Sequence, residues 1–147
     1  LWDKIIDTNL KGAFFSSQCF ALQLKSINKS GSIINLGSLS SSIGIPTATA
    51  YTSSKSGILG MTKALSAEWA NYNIRVNSIA PGYFRTSLTE VFYSNENWQK
   101  TMLDKIPMKR FGKMEDLHGI TILLASDASS YITGQIFYID GGFISSI

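Results

Sequence analysis

Several features are scarce in this sequence, and each scarcity narrows the reading. Cys19 is the one cysteine in 147 residues, so no internal disulfide is possible. It reads as a small apolar packing group in a reducing compartment. With no signal peptide in view, the expected location is the cytoplasm. His118 is the one histidine. No metal-ligand cluster surrounds it in sequence, so it reads as a partly exposed structural residue and no metal site is expected. Apolar runs are only a few residues long, far below a membrane span. Lys and Arg are scattered, and no basic run suggests a nucleic-acid surface. Asn28-Lys29-Ser30 fits a glycosylation sequon but reads as coincidence without a secretory signal.

The remainder is globular in composition. Hydrophobic residues make up 44% and charged residues 16%, and 13 basic against 10 acidic residues give a net charge of +3. The length is one domain's worth of material. Leu1 opens inside what looks like a helix, without a cap. The chain is therefore expected to begin partway through a larger protein.

Along the chain, residues 1–26 read as one long helix, with Trp2, Ile5, Ile6, Leu10, Ala13 and Phe14 at helical spacing. Lys29-Ser30-Gly31 is a turn. Residues 32–36 form a short apolar run suited to a strand buried on both faces. Residues 37–46 are a Ser/Gly-rich loop, and residues 48–71 a second long helix. Within it, Gly57 and Gly60 suggest close helix packing. Residues 74–79 are a second strand, stopped by Pro81-Gly82. Residues 83–113 lack a firm pattern, although 86–93 suit a short helix. Residues 114–125 form a third helix with Glu115 and Asp116 in its first turn. Residues 135–139 are a last strand. This alternation predicts an α/β fold with parallel strands and right-handed crossovers. Three strands are too few to cover such helices, so a doubly wound sheet needs more strands beside them.

One constellation carries chemistry. Tyr51 and Lys55 are four residues apart, hence on one helix face. Ser38 precedes the tyrosine by thirteen residues, at the end of a strand. A free phenol ionises near pH 10, and a neighbouring cation favours its phenolate form. Such a phenol can give or take the proton of an alcohol or carbonyl, while a serine hydroxyl hydrogen-bonds the same oxygen. Ser38 and Pro81-Gly82 both fall at carboxyl ends of strands, where open α/β sheets place their ligand crevice.

Asn9, Ser38, Tyr51-x-x-x-Lys55, the run Ala80-Pro81-Gly82-Tyr83-Phe84-Arg85-Thr86 and the tail from Tyr131 to Asp140-Gly141-Gly142 together resemble the short-chain dehydrogenase/reductases, over essentially the whole chain. The resemblance implies an oxidoreductase using NAD or NADP on a small-molecule alcohol or ketone. It implies that Tyr51 is the general acid/base and also touches the cofactor, that Lys55 supports it and bonds the nicotinamide ribose, and that Ser38 holds the substrate oxygen. Asn9 matches the family's helix-kinking asparagine, which holds a water linking the lysine to solvent. Pro81 and Gly82 would flank the nicotinamide, the Phe84 backbone would meet its carboxamide, and Thr86 would touch the same end. The family more often has Ile or Val at Phe84. A homodimer or homotetramer is implied, without nucleic acid or membrane.

The family's Gly-rich pyrophosphate loop has no counterpart here. Residues 1–147 thus resemble the catalytic C-terminal part of a doubly wound parallel-sheet Rossmann fold, with the N-terminal dinucleotide-binding half absent. Residues 83–112 correspond to the family's substrate lid and carry Phe84, Phe92, Tyr93, Trp98, Met102 and Phe111. The lid run and tail look most like the gluconate 5-dehydrogenase branch, where Arg85 or Arg110 would meet a sugar-acid carboxylate. Two other readings stay open: an enzyme like the 3-oxoacyl-carrier-protein reductases, and a non-catalytic fragment or oligomerisation module.

Overall fold

The computed structural model describes residues 1–87 and 89–146. Among them, β1 (Gly31–Leu36), β2 (Ile74–Pro81) and β3 (Ile136–Ile139) form a parallel sheet in the order β1-β2-β3. The register runs from Gly31↔Ile74 to Leu36↔Ile79, and from Ser78↔Ile136 to Pro81↔Ile139. All three carboxyl ends therefore lie along one edge of the sheet.

Helices α1 (Trp2–Ile6) and α2 (Gly12–Ser26) are joined through a π-turn, Asp7–Lys11. Then follow α3 (Thr49–Trp69), α4 (Glu90–Tyr93), α5 (Glu96–Lys105) and α6 (His118–Ala125). Helices α2 and α3 cover one face of the sheet. There Ala21, Leu65 and Trp69 bury against Ile33, Ile74 and Val76. Residues alternate faces along a strand, and Ser32 and Arg75 accordingly turn the other way, toward α6. The Ser32 hydroxyl donates to the Leu124 carbonyl at 2.6 Å. The Arg75 guanidinium donates to the Leu124 and Ser126 carbonyls and to Ser129 Oγ. Helices on both faces are the doubly wound arrangement expected for such a pattern.

Buried polar groups are paired within this frame. Asn35 accepts from Ser17 Oγ at 3.4 Å and donates to Thr62 Oγ1 at 3.0 Å, locking β1 between α2 and α3. Asn77, fully buried, donates to the Ile132 carbonyl and accepts from the Gln135 N–H, which sets the entry into β3. A low-dielectric interior makes such bonds costly to leave half made.

The expected order of elements is present, with local differences. The first helix contains the π-turn. The second strand runs through Pro81 instead of stopping before it. The third helix starts as a 3₁₀ turn, Met114–Leu117, before α6. Helix α5 was not foreseen, because it is mostly polar and none of its residues is fully buried; its half-buried side is a short stripe of Trp98, Met102 and Leu103. Its one local signal is Asn95, whose side chain accepts from the Trp98 N–H at 3.0 Å as an N-cap. Of the expected short helix 86–93, Glu90–Tyr93 is helical, and Leu88 lies outside the described residues. Gly57 is a true packing glycine, since a Cβ there would meet Leu10 at 2.7 Å; Gly60 faces open space. Among the described residues no helix is long and apolar enough to cross a membrane.

Ile58 is 1% exposed at the centre of α3. Ile58→Ala is expected to lower the unfolding free energy of the full-length protein by about 2–5 kcal/mol, read by urea unfolding. A loss below about 0.5 kcal/mol would contradict its place in the core.

Candidate active site

The carboxyl edge of the sheet is closed by two backbone bonds beyond the ladders. Gly37 N–H donates to the Ile79 carbonyl at 2.8 Å, and Gly82 N–H to the Ile139 carbonyl at 2.9 Å. Ser38, Gly82 and Asp140 thus leave three neighbouring strands side by side. Gly82 has a packing reason to be glycine: a Cβ would lie 2.7 Å from the Asp140 Cα. The close approach expected of a flat ligand is made here by β3's own exit. Asp140 in turn accepts from the Gly142 and Ile144 N–H groups at 2.9 Å each, and Gly141 and Gly142 take positive φ to make that turn.

Tyr51 lies in the first turn of α3 and Lys55 one turn on, both half-buried. The Lys55 Nζ sits 5.8 Å from the Tyr51 ring centroid and donates to the Leu36 carbonyl at 2.8 Å. Burial pushes the Lys55 ammonium below its ordinary pKa, because desolvation penalises the charged form. An ammonium has three donors. The other two are free for hydroxyls such as those of a ribose, which fits a nicotinamide cofactor at this position.

Ser38 caps a 3₁₀ turn, Leu39–Ser41. Its Oγ accepts from the Ser40 N–H at 3.2 Å and from the Ser40 hydroxyl at 2.9 Å. A hydroxyl has two lone pairs and one proton. With both lone pairs engaged, what Ser38 retains is its proton, the part that polarises a carbonyl oxygen. Ser41 then joins the loop to the helix. Its Oγ accepts from the Ser38 N–H at 3.2 Å and donates to the Lys55 carbonyl at 2.9 Å. Ser42 hydrogen-bonds the Tyr138 hydroxyl on β3. The sequence placed Ser40, Ser41 and Ser42 only within a Ser/Gly-rich loop. Thr47, a β-branched residue at φ +68°, bends the loop into α3, a strained conformation that no sequence signal announced.

Asn9 sits in the π-turn, a feature that often marks functional positions. Its amide donates to Ser54 Oγ at 3.1 Å, and Ser54 Oγ donates to the Tyr51 carbonyl at 2.7 Å. The asparagine thus reaches the turn that carries Tyr51 through a fully buried serine, a contact the sequence reading did not foresee. Phe84 is buried, and its ring fills the space that Gly112 leaves without a side chain. Its carbonyl accepts from Thr89 Oγ1 at 2.9 Å. Thr86 is exposed, and its N–H donates to the same Thr89 oxygen.

Over this edge lies an aromatic cover. Trp98 stacks on Phe111 at 6.0 Å and meets Tyr83 and Tyr93 edge-on at 5.8 and 5.2 Å. Tyr83 and Phe111 also pack on the apolar cluster of Leu39, Ile106 and Phe143, so the cover rests on the residue beside Ser38. Neither Arg85 nor Arg110 presents a free guanidinium. Glu90 holds Arg85, and Asp116 holds Arg110 at 2.6 and 2.9 Å. That ion pair pulls the Asp116 carboxyl down to about 2. The cavity behind the Asp140 turn, lined by Tyr83, Ile106, Met108, Arg110 and Gly141, holds ≈ 220 Å³. This is under the about 300–1,000 Å³ of common ligand pockets. A larger cleft, ≈ 990 Å³, lies at the opposite end of the strands, by Gly31 and Ile74.

Two outcomes follow from these environments. Because folding disfavours the protonated Lys55, the unfolded chain holds the extra proton between the depressed folded pKa and 10.5. Wild-type stability is therefore expected to gain on that of Lys55→Met as pH rises through this window. A pH-independent difference in urea unfolding would refute it. The Tyr93 hydroxyl is buried with no hydrogen-bond partner among the described residues, and burial pushes its pKa up to about 12. Tyr93→Phe is expected to raise the unfolding free energy by about 1 kcal/mol; a loss of stability in the same assay would show a hidden partner.

Known proteins resemble this chain over nearly its whole length. A family model described as enoyl-(acyl carrier protein) reductase matches residues 1–144. The chain is 41% identical over 98% of its length to a 2-dehydro-3-deoxy-D-gluconate 5-dehydrogenase of Dickeya dadantii. It is 43% identical over 97% of its length to a 3-oxoacyl-(acyl-carrier-protein) reductase of Thermotoga maritima. It spans 57% of the length of each of these curated relatives. A gluconate 5-dehydrogenase from Burkholderia cenocepacia, in complex with NADP and tartrate, superposes with a TM-score of 0.96 at 34% identity, over 99% of this chain and 57% of that one. The chain belongs to the short-chain dehydrogenase/reductase family.

Proposed function

We propose that this chain is the catalytic part of an NAD(P)-dependent oxidoreductase acting on a secondary alcohol or ketone, a sugar acid or polyol of the gluconate kind. We place the enzyme in the cytoplasm as a homodimer or homotetramer. The carrying observation is the Lys55 ammonium, half-buried, fixed to the end of β1 and one helical turn beyond Tyr51. A lysine so placed has an electrostatic use for a phenolate that a solvated helix lysine lacks.

The nicotinamide cofactor, when bound, supplies or accepts the hydride. Ser38 holds the substrate oxygen by a hydrogen bond from its remaining O–H, without giving the proton up. Tyr51 gives that oxygen a proton in reduction and takes one in oxidation. Lys55 stabilises the phenolate and turns its two spare donors to the cofactor ribose. Asn9, through Ser54, steadies the turn that bears Tyr51. Pro81, Gly82, the Phe84 main chain and Thr86 flank the nicotinamide end. The sugar-acid choice is supported by the names of the Dickeya and Burkholderia relatives. It does not rest on Arg85 or Arg110, whose charges are already met. The Thermotoga relative favours a second reading, a 3-oxoacyl-thioester reductase.

The test uses the full-length protein with NAD(H) or NADP(H) and a panel of D-gluconate, 5-ketogluconate, 2-dehydro-3-deoxygluconate and an acetoacetyl thioester. Turnover of a sugar acid is expected. Turnover of the thioester alone would move the assignment to the second reading. Tyr51→Phe is expected to lower kcat about 10²–10⁴-fold while NADPH binding, followed by fluorescence, stays unchanged. Wild-type rates in that variant would remove the catalytic role.

A further inference from the structure

The two halves of the candidate catalytic set come from different elements, Ser38 from the loop after β1 and Tyr51 and Lys55 from α3. Their relative position needs a crosslink, and one side chain supplies it. Ser41 Oγ accepts the Ser38 N–H at 3.2 Å and donates to the Lys55 carbonyl at 2.9 Å. Its own carbonyl accepts the Ser56 hydroxyl at 2.9 Å, one residue beyond Lys55. Within the loop, the Ser41 N–H donates to the Ser38 carbonyl at 3.0 Å, so Ser38 and Ser41 cap each other reciprocally. A hydroxyl can donate only once. Ser41 spends that donation on the helix carbonyl of Lys55, which in an unbroken α-helix is already claimed by the N–H four residues on.

We propose that Ser41 is a positioning residue for the reaction. It fixes the Ser38 hydroxyl relative to the Tyr51 and Lys55 side chains, and so fixes where the substrate oxygen sits between the serine proton and the phenol. The inference rests on the catalytic reading above. A fold-stabilising role alone makes a different forecast, because it would not separate kcat from KM. Misplacement by about 1 Å costs up to about 10²-fold in rate, since reacting groups must meet within a narrow geometry.

The experiment compares wild type, Ser41→Ala and Ser41→Thr in the full-length enzyme. It uses the alcohol turned over fastest in the panel above and the same alcohol deuterated at the reacting carbon. Ser41→Ala is expected to lose kcat roughly 10- to 100-fold, with KM for the cofactor unchanged and a larger deuterium isotope effect, because the chemical step becomes limiting. Ser41→Thr keeps the hydroxyl and is expected to stay within about threefold of wild type. Urea midpoints are measured alongside. Wild-type kcat in Ser41→Ala would overturn the inference and leave the proposed function intact. A rate loss that only tracks the loss of folded protein, without rescue by Thr, would overturn it as well. An inactive wild-type enzyme would remove the proposed function and this inference together.

Discussion

Lys55 is held at both ends. Its ammonium donates to the carbonyl of the last residue of β1, and its backbone carbonyl receives the Ser41 hydroxyl from the loop that follows the same strand. Burial works against that ammonium, so its bond to Leu36 offsets part of a desolvation cost that an exposed lysine never meets. A solvated lysine would be indifferent to the end of β1. This one makes α3 and β1 a single unit, with Tyr51 and Ser38 carried on its two arms. The level carboxyl ends of the parallel sheet then bring Gly82 and Asp140 beside them.

What was legible in the sequence is what depends on period and local chemistry. Helical spacing placed Tyr51 and Lys55 on one face, and apolar runs located all three strands. Long-range serine bonds were not legible, because a serine in a Ser-rich run looks the same whether it turns a loop or ties it to a helix. Ser40 bonds only Ser38 two residues back, whereas Ser41 reaches the Lys55 carbonyl and Ser54 meets Asn9 from another helix. Asn9 illustrates the same limit. Its position in a helix was visible, but the π-turn that aims it at Ser54, 45 residues away, is a tertiary outcome. Gly82 was singled out for the close approach of a flat ligand, whereas the neighbour that leaves no room for a Cβ there is Asp140, just past the end of β3. Arg85 and Arg110 looked available for a carboxylate. Each instead has an acid five or six residues on, a spacing that no regular helix face would have suggested.

The aromatic cover is tied to the serine loop by contact. Tyr83 follows Gly82 directly, packs edge-on to Phe143 and Trp98, and rests on the cluster that includes Leu39. Leu39 is the neighbour of Ser38. A ligand that displaces Trp98 or Phe111 must disturb the same packing that seats the serine loop, since close-packed interiors transmit small shifts. The cover also carries a defect of its own, a Tyr93 phenol with no hydrogen-bond partner among the described residues. A segment that keeps such a group buried is closed with less stability than its aromatic area implies.

Among the described residues, the hydrogen bonds around Ser38, Tyr51 and Lys55 come from Ser40, Ser41, Ser54, Asn9 and the end of β1. The outer edge of β1 is unpaired among the described residues, and the curated relatives are longer. In the proposed reaction, the geometry of proton transfer would be set by a lysine, a tyrosine and a serine whose positions are held by contacts within this chain.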